Sequence, residues 1–252
     1  MDKGIYTAVA SINSQRAKET NSIVELSNTS TVGFKKAYQA ALTTYRVDGP
    51  GNSTRYLTGN SASGIVDLTP GSRIATGNPM DIYVNEQGVL GVLNEDGDNV
   101  FTRRGDLRIN FDGVLALVSG ELVLNDGGGT ISPPIDQVLE ISDEGIIYST
   151  DPNEEAAEPV EVARLMLRDA SNVELEKMKD GLFKVRGGEV GDFDDGPNPV
   201  TVSSGQLEGS SVKAMEIMVD IINGVRAFEM KMKLVKELGD LGDSNNTLMR
   251  MN

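Results

Sequence analysis

The sequence predicts an α+β protein in which N- and C-terminal α-helices form a coiled-coil-like helical domain, with an intervening mainly-β body. Apolar residues recur at heptad spacing near both ends, and short apolar runs separated by Gly, Asn, Asp and Pro fill the middle. Heptad spacing favours helix pairing, whereas short runs bounded by turn residues are typical of strands. We therefore predict a terminal helical domain (1–32 plus 207–252), an extended connector or hinge (33–69) and a mainly-β outer domain (70–206).

The first predicted helix covers residues 3–27. Its heptad seam alternates spacings of four and three and comprises Ile5, Val9, Ile12, Arg16, Glu19, Ile23 and Leu26. Because Arg16 and Glu19 interrupt the seam, it is a poor core but a workable interface. The candidate assembly residues are its five apolar members, Ile5, Val9, Ile12, Ile23 and Leu26.

A polar stretch, ELSNTSTVGFKK (25–36), follows where this helix should end. It contains several small hydrogen-bonding side chains and then resumes with Gly33 and Phe34. At this point of the chain a catalytic loop, a binding loop and a joint between two parts of the fold are all compatible with the residues.

The middle of the chain, from residue 33 to about 205, predicts many short strands. Apolar runs such as VLGVL, GVLALV and GIIYST alternate with turn sequences, of which EDGDN and NFDG are typical of hairpins. An acidic loop is expected at 151–159.

The second predicted helix covers residues 208–238 and has a stronger seam. The candidate assembly residues on this seam are Met218, Ile221, Val225, Phe228, Met232 and Val235. Either the two terminal helices pair with each other and with copies from neighbouring chains, or both pack on the β body.

Composition excludes several classes of function. The formal net charge of −15 argues against nucleic acid and against an anionic membrane surface as partners. The chain has no His and no Cys, which removes the commonest general base, thiolate chemistry and the commonest metal ligands. We expect no catalytic residue, no cofactor and no metal site.

Local motifs agree with that expectation. The stretch 59–64 lacks the second glycine of a nucleophile elbow, and the acidic stretch 94–99 lacks the glycine and glutamate spacing of a calcium loop. No stretch is long and apolar enough to span a membrane, and the N-terminus lacks the apolar run of a cleaved signal peptide. The sequence therefore predicts a cytoplasmic protein or one exported without signal cleavage.

Four motif blocks resemble the bacterial flagellar rod and hook family. The first combines Leu26, Asn28, Ser30, Thr31, Gly33 and Phe34 in the pattern L-x-N-x-S-T-x-G-F. The others are GNPMDIYVNEQGVL (77–90), FTRRGDLRINFDGVLALVSGELVL (101–124) and SGQLEGSSVKAMEIMVDIINGVRAFEMKMKLV (204–235). The similarity spans the chain in the family's order. The family's paired Asn before Leu26 is Val24-Glu25 here, and its Asn after Ser211 is missing.

The resemblance implies a structural subunit of the proximal rod of the flagellar basal body, with the distal rod protein as the alternative. Terminal helices would line a tube that transmits torque and forms the export channel wall. Partners would be other copies of the chain, other rod proteins and the flagellar type III export apparatus, and the location would be the periplasmic rod. The hinge motif would be Asn28, Ser30, Thr31, Gly33 and Phe34, where the first helix leaves the β body.

Two other functions stay open from the residues alone. A secreted β-rich binding module could use its terminal helices to form a small homo-oligomer. An acidic hydrolase could use paired carboxylates, although the chain has no Trp on which to stack a sugar. Ordered helical tubes distinguish the rod subunit from a closed oligomer.

Overall fold

A computed structural model describes residues 2–38, 43–49, 52–59, 64–153 and 158–250. Within these ranges the side chains are described at 11–38, 64–153, 158–237 and 239–241. The two helices are α1 (Asp2–Ser27) and α2 (Ala214–Arg250). The first strands are β1 (Ala37–Tyr38), β2 (Thr43–Gly49), β3 (Asn52–Gly59), β4 (Ile65–Val66), β5 (Arg73–Ala75), β6 (Ile82–Val84), β7 (Gly88–Leu93), β8 (Asn99–Thr102), β9 (Leu107–Ile109) and β10 (Leu115–Leu117). The remaining strands are β11 (Leu122–Val123), β12 (Val138–Ile141), β13 (Ile146–Thr150), β14 (Val160–Arg164), β15 (Leu167–Asp169), β16 (Leu175–Lys177), β17 (Phe183–Val185), β18 (Val202–Ser204) and β19 (Gln206–Glu208).

The chain divides into two compact units. The helical unit comprises Met1–Thr29, Gln39–Ala62 and Val212–Asn252, and the β unit comprises Ser30–Tyr38 and Ser63–Ser211. In the helical unit, β2 and β3 form an antiparallel hairpin. Among the described residues, no helix is both long and apolar enough to cross a membrane. The predicted three-part division into helical domain, connector and outer domain stays a prediction.

Within the helical unit, α1 and α2 lie side by side in opposite directions. Lys231 Nζ donates to Ser11 O at 3.3 Å and to Gln15 Oε1 at 3.4 Å. Two turns earlier in α2, Gly224 lies against the side chains of Gln15 and Glu19. Residues later in α1 therefore contact residues earlier in α2, so the two helices are antiparallel.

The predicted fold class is correct as α+β, but the coiled-coil-like helical domain is wrong. The structure has one N-terminal helix, one C-terminal helix and a large β body, and only alternate positions of the predicted apolar seams are covered. Ile23 is 59 % exposed, and Met218, Val225 and Met232 are each 47 % exposed. The covered positions of α1 include Ile12, Gln15, Glu19, Ser22 and Leu26, and those of α2 include Ile217, Ile221, Gly224, Phe228, Lys231 and Val235.

The physical reason is that heptad spacing identifies the apolar face of a helix but not the partner that covers it. The covered faces keep spacings of three and four, but every second position is shifted by one residue from the predicted seam. The shift brings small or polar residues such as Gly224 and Gln15 to the contact, where the helix backbones can approach closely. Knobs-into-holes packing requires apolar residues throughout such a seam, and Gln15, Glu19, Gly224 and Lys231 interrupt it.

The β unit is organised around a ten-stranded antiparallel sheet. Its path runs β1-β4-β16-β17-β8-β7-β11-β10-β9, with β15 also paired to β7. Strand β7 is central, and almost all its residues are buried, as expected for a strand covered on both faces. Small sheets complete the unit: β12-β13-β14, β18-β6 and β19-β5. Strands β12 and β13 alternate buried and less buried residues, so their sheet covers the core with one face.

Two apolar clusters form the core of this unit. The larger one is built mainly from Ile, Leu and Val of the sheet strands and includes Ile82, Leu90, Val100, Leu115 and Ile147. The smaller one contains the aromatic rings of Phe101 and Phe183 together with Val66 and Leu68. Phe193 packs edge-on against Phe101, with ring centroids 4.7 Å apart.

Gly105→Ala should destabilise the β unit more than Gly91→Ala. A Cβ at Gly105 would collide with the backbone carbonyl of Ile82, whereas a Cβ at Gly91 would meet the flexible side chain of Met166. The first collision also disturbs the hydrogen bond from Ile82 N to Gly105 O. We expect a loss of about 3 kcal/mol for Gly105→Ala and about 1 kcal/mol for Gly91→Ala, measured by denaturant unfolding. Equal losses would contradict the assigned backbone contact.

Candidate functional site

The end of α1 is capped by the polar residues of the hinge motif and their neighbours. Asn28 Nδ2 donates to Val24 O at 2.8 Å, and the Thr29 hydroxyl donates to Leu26 O at 3.0 Å. The first bond satisfies a carbonyl of the last helical turn, and the second adds to the bond that the Leu26 carbonyl accepts from Thr29 N at 3.4 Å. Asn28 and Thr31 are half-buried, and Ser30 is exposed.

Gly33 lies where only glycine fits without strain. Its φ is +66°, and a Cβ would lie 2.6 Å from the backbone C and O of Arg103. Its N–H donates to the backbone carbonyl of Glu208 at 2.7 Å. Gly33 therefore contacts two chain segments that are distant from it in the sequence.

Phe34 lies under a lysine and beside the segment that leads to α2. Lys177 Nζ lies 3.3 Å from the centroid of the Phe34 ring and donates to Lys35 O at 3.0 Å. The Phe34 carbonyl accepts from Ser211 N at 2.9 Å, and the Ser211 hydroxyl accepts from Lys36 N at 2.9 Å. Inside the β unit, the segment that follows α1 and the segment that precedes α2 are thus joined side by side.

Lys35, Arg103 and Glu208 form a buried charge cluster, here called the junction cluster. All three side chains are fully buried. Lys35 Nζ and Glu208 Oε1 are 2.6 Å apart, and Arg103 Nε and Glu208 Oε2 are also 2.6 Å apart. Glu208 therefore holds two cations, one on each carboxylate oxygen.

Other polar atoms of the cluster bind backbone, whereas Arg103 Nη2 is buried and has no hydrogen-bond partner among the described residues. Lys35 Nζ donates to Thr69 O at 2.6 Å, and Gly71 N donates to Glu208 Oε1 at 2.5 Å. Arg103 Nη1 donates to the carbonyls of Glu86 at 2.8 Å and Gly88 at 2.6 Å. Glu86 has a φ of +46°, a costly conformation for a residue with a side chain, and its carbonyl is held by Arg103.

Burial and the neighbouring charges shift the pKa values of Lys35 and Glu208. Burial lowers the pKa of Lys35, and the neighbouring Arg103 charge acts in the same direction while Glu208 opposes it. Burial alone would raise the pKa of Glu208, but Arg103, Lys35 and the Gly71 N–H outweigh it and hold that pKa below its usual value. Glu208 is therefore the anion on which the cluster depends.

The structure places the predicted assembly residues in three groups. Ile12 is buried, and Leu26, Ile221, Phe228 and Val235 are half-buried on the face between the helices. Ile23, Met218, Val225 and Met232 are exposed. The side chains of Ile5 and Val9 lie outside the described residues.

The sequence analysis did not predict the junction cluster or the small and polar contact residues of the helices. A signal for the cluster was present, since each of its charges lies in or directly after a motif block: Lys35 after Gly33-Phe34, Arg103 in FTRRG and Glu208 in GQLEG. No group of three potential metal ligands lies close together in the described part of the chain.

Comparison with known proteins identifies the family. Residues 203–248 match the family described as flagellar basal body rod FlgEFG protein C-terminal. Over their full lengths, the chain and the flagellar basal-body rod protein FlgF of Salmonella typhimurium are 33 % identical across 254 aligned positions. The chain belongs to the FlgF family of flagellar basal-body rod proteins. The FlgF protein of Escherichia coli is 32 % identical, again over both complete chains.

FlgG, the distal rod alternative, is supported less strongly. The flagellar basal-body rod protein FlgG of Agrobacterium fabrum is 31 % identical over 66 % of this chain and 63 % of that protein. The prediction of a proximal-rod structural subunit in the flagellar basal body is therefore confirmed by membership in the FlgF family.

Glu208→Gln should strongly destabilise the β unit. The variant keeps the shape of the side chain but leaves two buried cations without a counter-charge, and breaking a buried ion pair costs about 3–5 kcal/mol. Glu174→Gln is the matched control, because Glu174 pairs with Arg186 at 2.7 Å in an exposed position, where about 0–1 kcal/mol is at stake. Denaturant unfolding measures both, and similar losses would contradict the role of the junction cluster.

The stability of the β unit should also fall with acid through Glu208. Because its pKa is lower in the folded than in the unfolded protein, its contribution is complete above the ordinary value of 4.5 and is lost as the pH falls through the folded value. The free energy of unfolding should therefore decrease more steeply below about pH 4.5 in the wild type than in Glu208→Gln. Parallel curves for the two proteins would show that Glu208 is not the group responsible.

Proposed function

We propose that this proximal-rod subunit assembles with other copies of itself and with other rod subunits through the uncovered apolar face of α2. The observation that carries the proposal is a cluster of exposed apolar residues near the start of that helix: Met215, Met218, Val219, Ile222 and Val225. Their spacings of three and four place them on adjoining turns. A cluster of exposed apolar side chains is typical of a site of protein interaction.

This face is distinct from the one that α1 already covers. The covered positions of α2 include Ile217, Gly224 and Lys231, whereas Met218 and Val225 lie one residue further along the chain and are exposed. A helix of a neighbouring subunit could therefore bind here without displacing α1. Exposed Ile23 provides α1 with an apolar contact point of its own.

Torque transmission requires a joint that does not yield. Within the β unit, the segments that follow α1 and precede α2 are tied by Gly33, Lys35 and Ser211 through the bonds described above. A buried ion pair is geometrically specific, because displacement leaves an unpaired charge in the interior. The junction cluster therefore suits a subunit that must hold two chain segments in a fixed relation under load.

We further propose that the chain is not an enzyme and that it reaches the periplasmic rod through the flagellar type III apparatus. The relatives it matches are named as rod proteins, and the sequence contains neither His nor Cys. The predicted absence of a cofactor and a metal stays a prediction. Tube-lining helices and an outward-facing β body also stay proposals.

Val225→Asp should abolish assembly while leaving the subunit folded. Val225 is exposed in the subunit, so the charge is hydrated there, but burial against a neighbouring helix would cost several kcal/mol. We expect at least about 100-fold less of the variant in purified basal bodies, and loss of motility. Asn223→Asp, with the same charge change at an exposed polar position of α2, should assemble normally. Normal basal bodies with Val225→Asp would overturn the proposed interface.

A further inference from the structure

One face of the small sheet β12-β13-β14 packs on the core, and the other face is uncovered. Leu139 and Ile147 belong to the larger apolar cluster. The residues that alternate with them along β12 and β13 are exposed or half-buried. Because successive side chains of a strand point to opposite faces, Val138, Glu140 and Tyr148 lie on the outer face.

A β-bulge in β14 brings a glutamate to this outer face. Ile147 pairs with Ala163, and the next pair along the two strands is Tyr148 with Glu161. Val162 is therefore the extra residue, and both Val162 and Ala163 pack against the larger apolar cluster. Without the extra residue, strict alternation would turn Glu161 towards the core. With it, Glu161 lies opposite Tyr148 on the outer face.

Glu140, Tyr148 and Glu161 form one row across the three strands, here called the acidic row. Tyr148 pairs with Glu140 on one side and with Glu161 on the other. Opposite residues on one face have Cβ atoms about 5 Å apart, so the tyrosine lies between two carboxylates. Both glutamates are exposed, and Tyr148 is half-buried. Neither glutamate forms an ion pair with a side chain that the structure describes.

The acidic row has the groups that bind an arginine or lysine side chain. A cation is attracted to the face of a tyrosine ring within about 6 Å of its centre. The carboxylates beside the ring can accept hydrogen bonds from that cation, two at once from a guanidinium. Arg164, the one basic residue of these three strands, pairs with Glu144 at 3.6 Å instead. The cation would therefore come from another molecule.

The distribution of charge favours a different, basic protein as the source of this cation. The β unit contains 28 of the 38 acidic residues and 12 of the 23 basic ones, so its net charge is −16. The helical unit contains the other 10 acidic and 11 basic residues, so its net charge is +1. A second copy would therefore present a β unit that is repelled or a helical unit that is nearly neutral. A basic surface is attracted instead.

We propose that the acidic row receives an arginine or lysine side chain from a different protein with a basic surface, with the cation over the Tyr148 ring between Glu140 and Glu161. Val138, which is 49 % exposed, lies in the adjacent row of the same face and supplies an apolar contact. The inference rests on the proposed function, since the partner is sought in the basal body. It differs from the self-contact proposed for α2.

The test places the photo-reactive residue p-benzoylphenylalanine at position 138 of the full chain in its native bacterium. After irradiation of purified basal bodies, we expect a product with a different protein, in which mass spectrometry locates the link beside an arginine or lysine. A product of two copies overturns the choice of partner, and the absence of any product overturns the docking. Absence of the chain from basal bodies would instead reject the proposed function.

Charge reversal shows whether the acidic row makes the contact. Glu140→Lys in the strain with the probe at 138 should lower the yield at least about tenfold, as expected for loss of one ion pair in an interface. Glu95→Lys makes the same change of charge at an exposed position of the β7–β8 turn and should leave the yield unchanged. Changing the linked basic residue of the partner to Glu should restore the yield with Glu140→Lys. An equal loss with Glu95→Lys, or no restoration, would overturn the proposal.

A pair of variants tests the ring. Tyr148→Phe keeps the aromatic face and should keep the yield, whereas Tyr148→Leu removes that face and should lower the yield several-fold. Equal yields from the two variants would show that the cation does not lie over the ring. Thermal unfolding of each purified variant at the wild-type temperature would assign the lost yield to the contact rather than to misfolding.

Discussion

The carboxylate of Glu208 is the point on which the β unit depends. It binds Lys35 from the segment after α1 and Arg103 from the end of β8, and its backbone carbonyl accepts from Gly33. Three motif blocks that are far apart in the sequence therefore meet at one buried anion. Since each buried cation would cost several kcal/mol without its partner, the three segments take their positions together or not at all.

The two terminal helices differ from the β unit in how their apolar residues are covered. Their contact within the chain includes Gly224, Gln15 and Glu19 beside apolar residues such as Ile12 and Phe228, whereas Met218, Val225 and Met232 face solvent. In the proposed assembly this exposed apolar surface is left for neighbours, so that further free energy of helix packing would be released when subunits associate.

Much of the fold could be predicted from local patterns, since period and turn residues specify helices and strands directly. The two helices, the β body between them and the break after Ser27 follow from such patterns, and the motif blocks identify the family. The face on which the two helices meet could not be predicted from the sequence. The heptad spacing of Val225 and Met232 shows that these positions are apolar, but it does not show which element covers them. The junction cluster did not follow either, because Lys35 and Glu208 are 173 residues apart and no local pattern marks either one as buried.

On the export route proposed above, that separation has a consequence for the order of events. Closing the chain between residues so far apart costs entropy before the contact can stabilise the fold. A chain that travels through a narrow conduit cannot close the cluster until the segments carrying Lys35 and Glu208 have both emerged from it. The β unit would therefore remain incomplete in transit and acquire its final stability on the far side, which delays maturation until nearly the whole chain has been delivered.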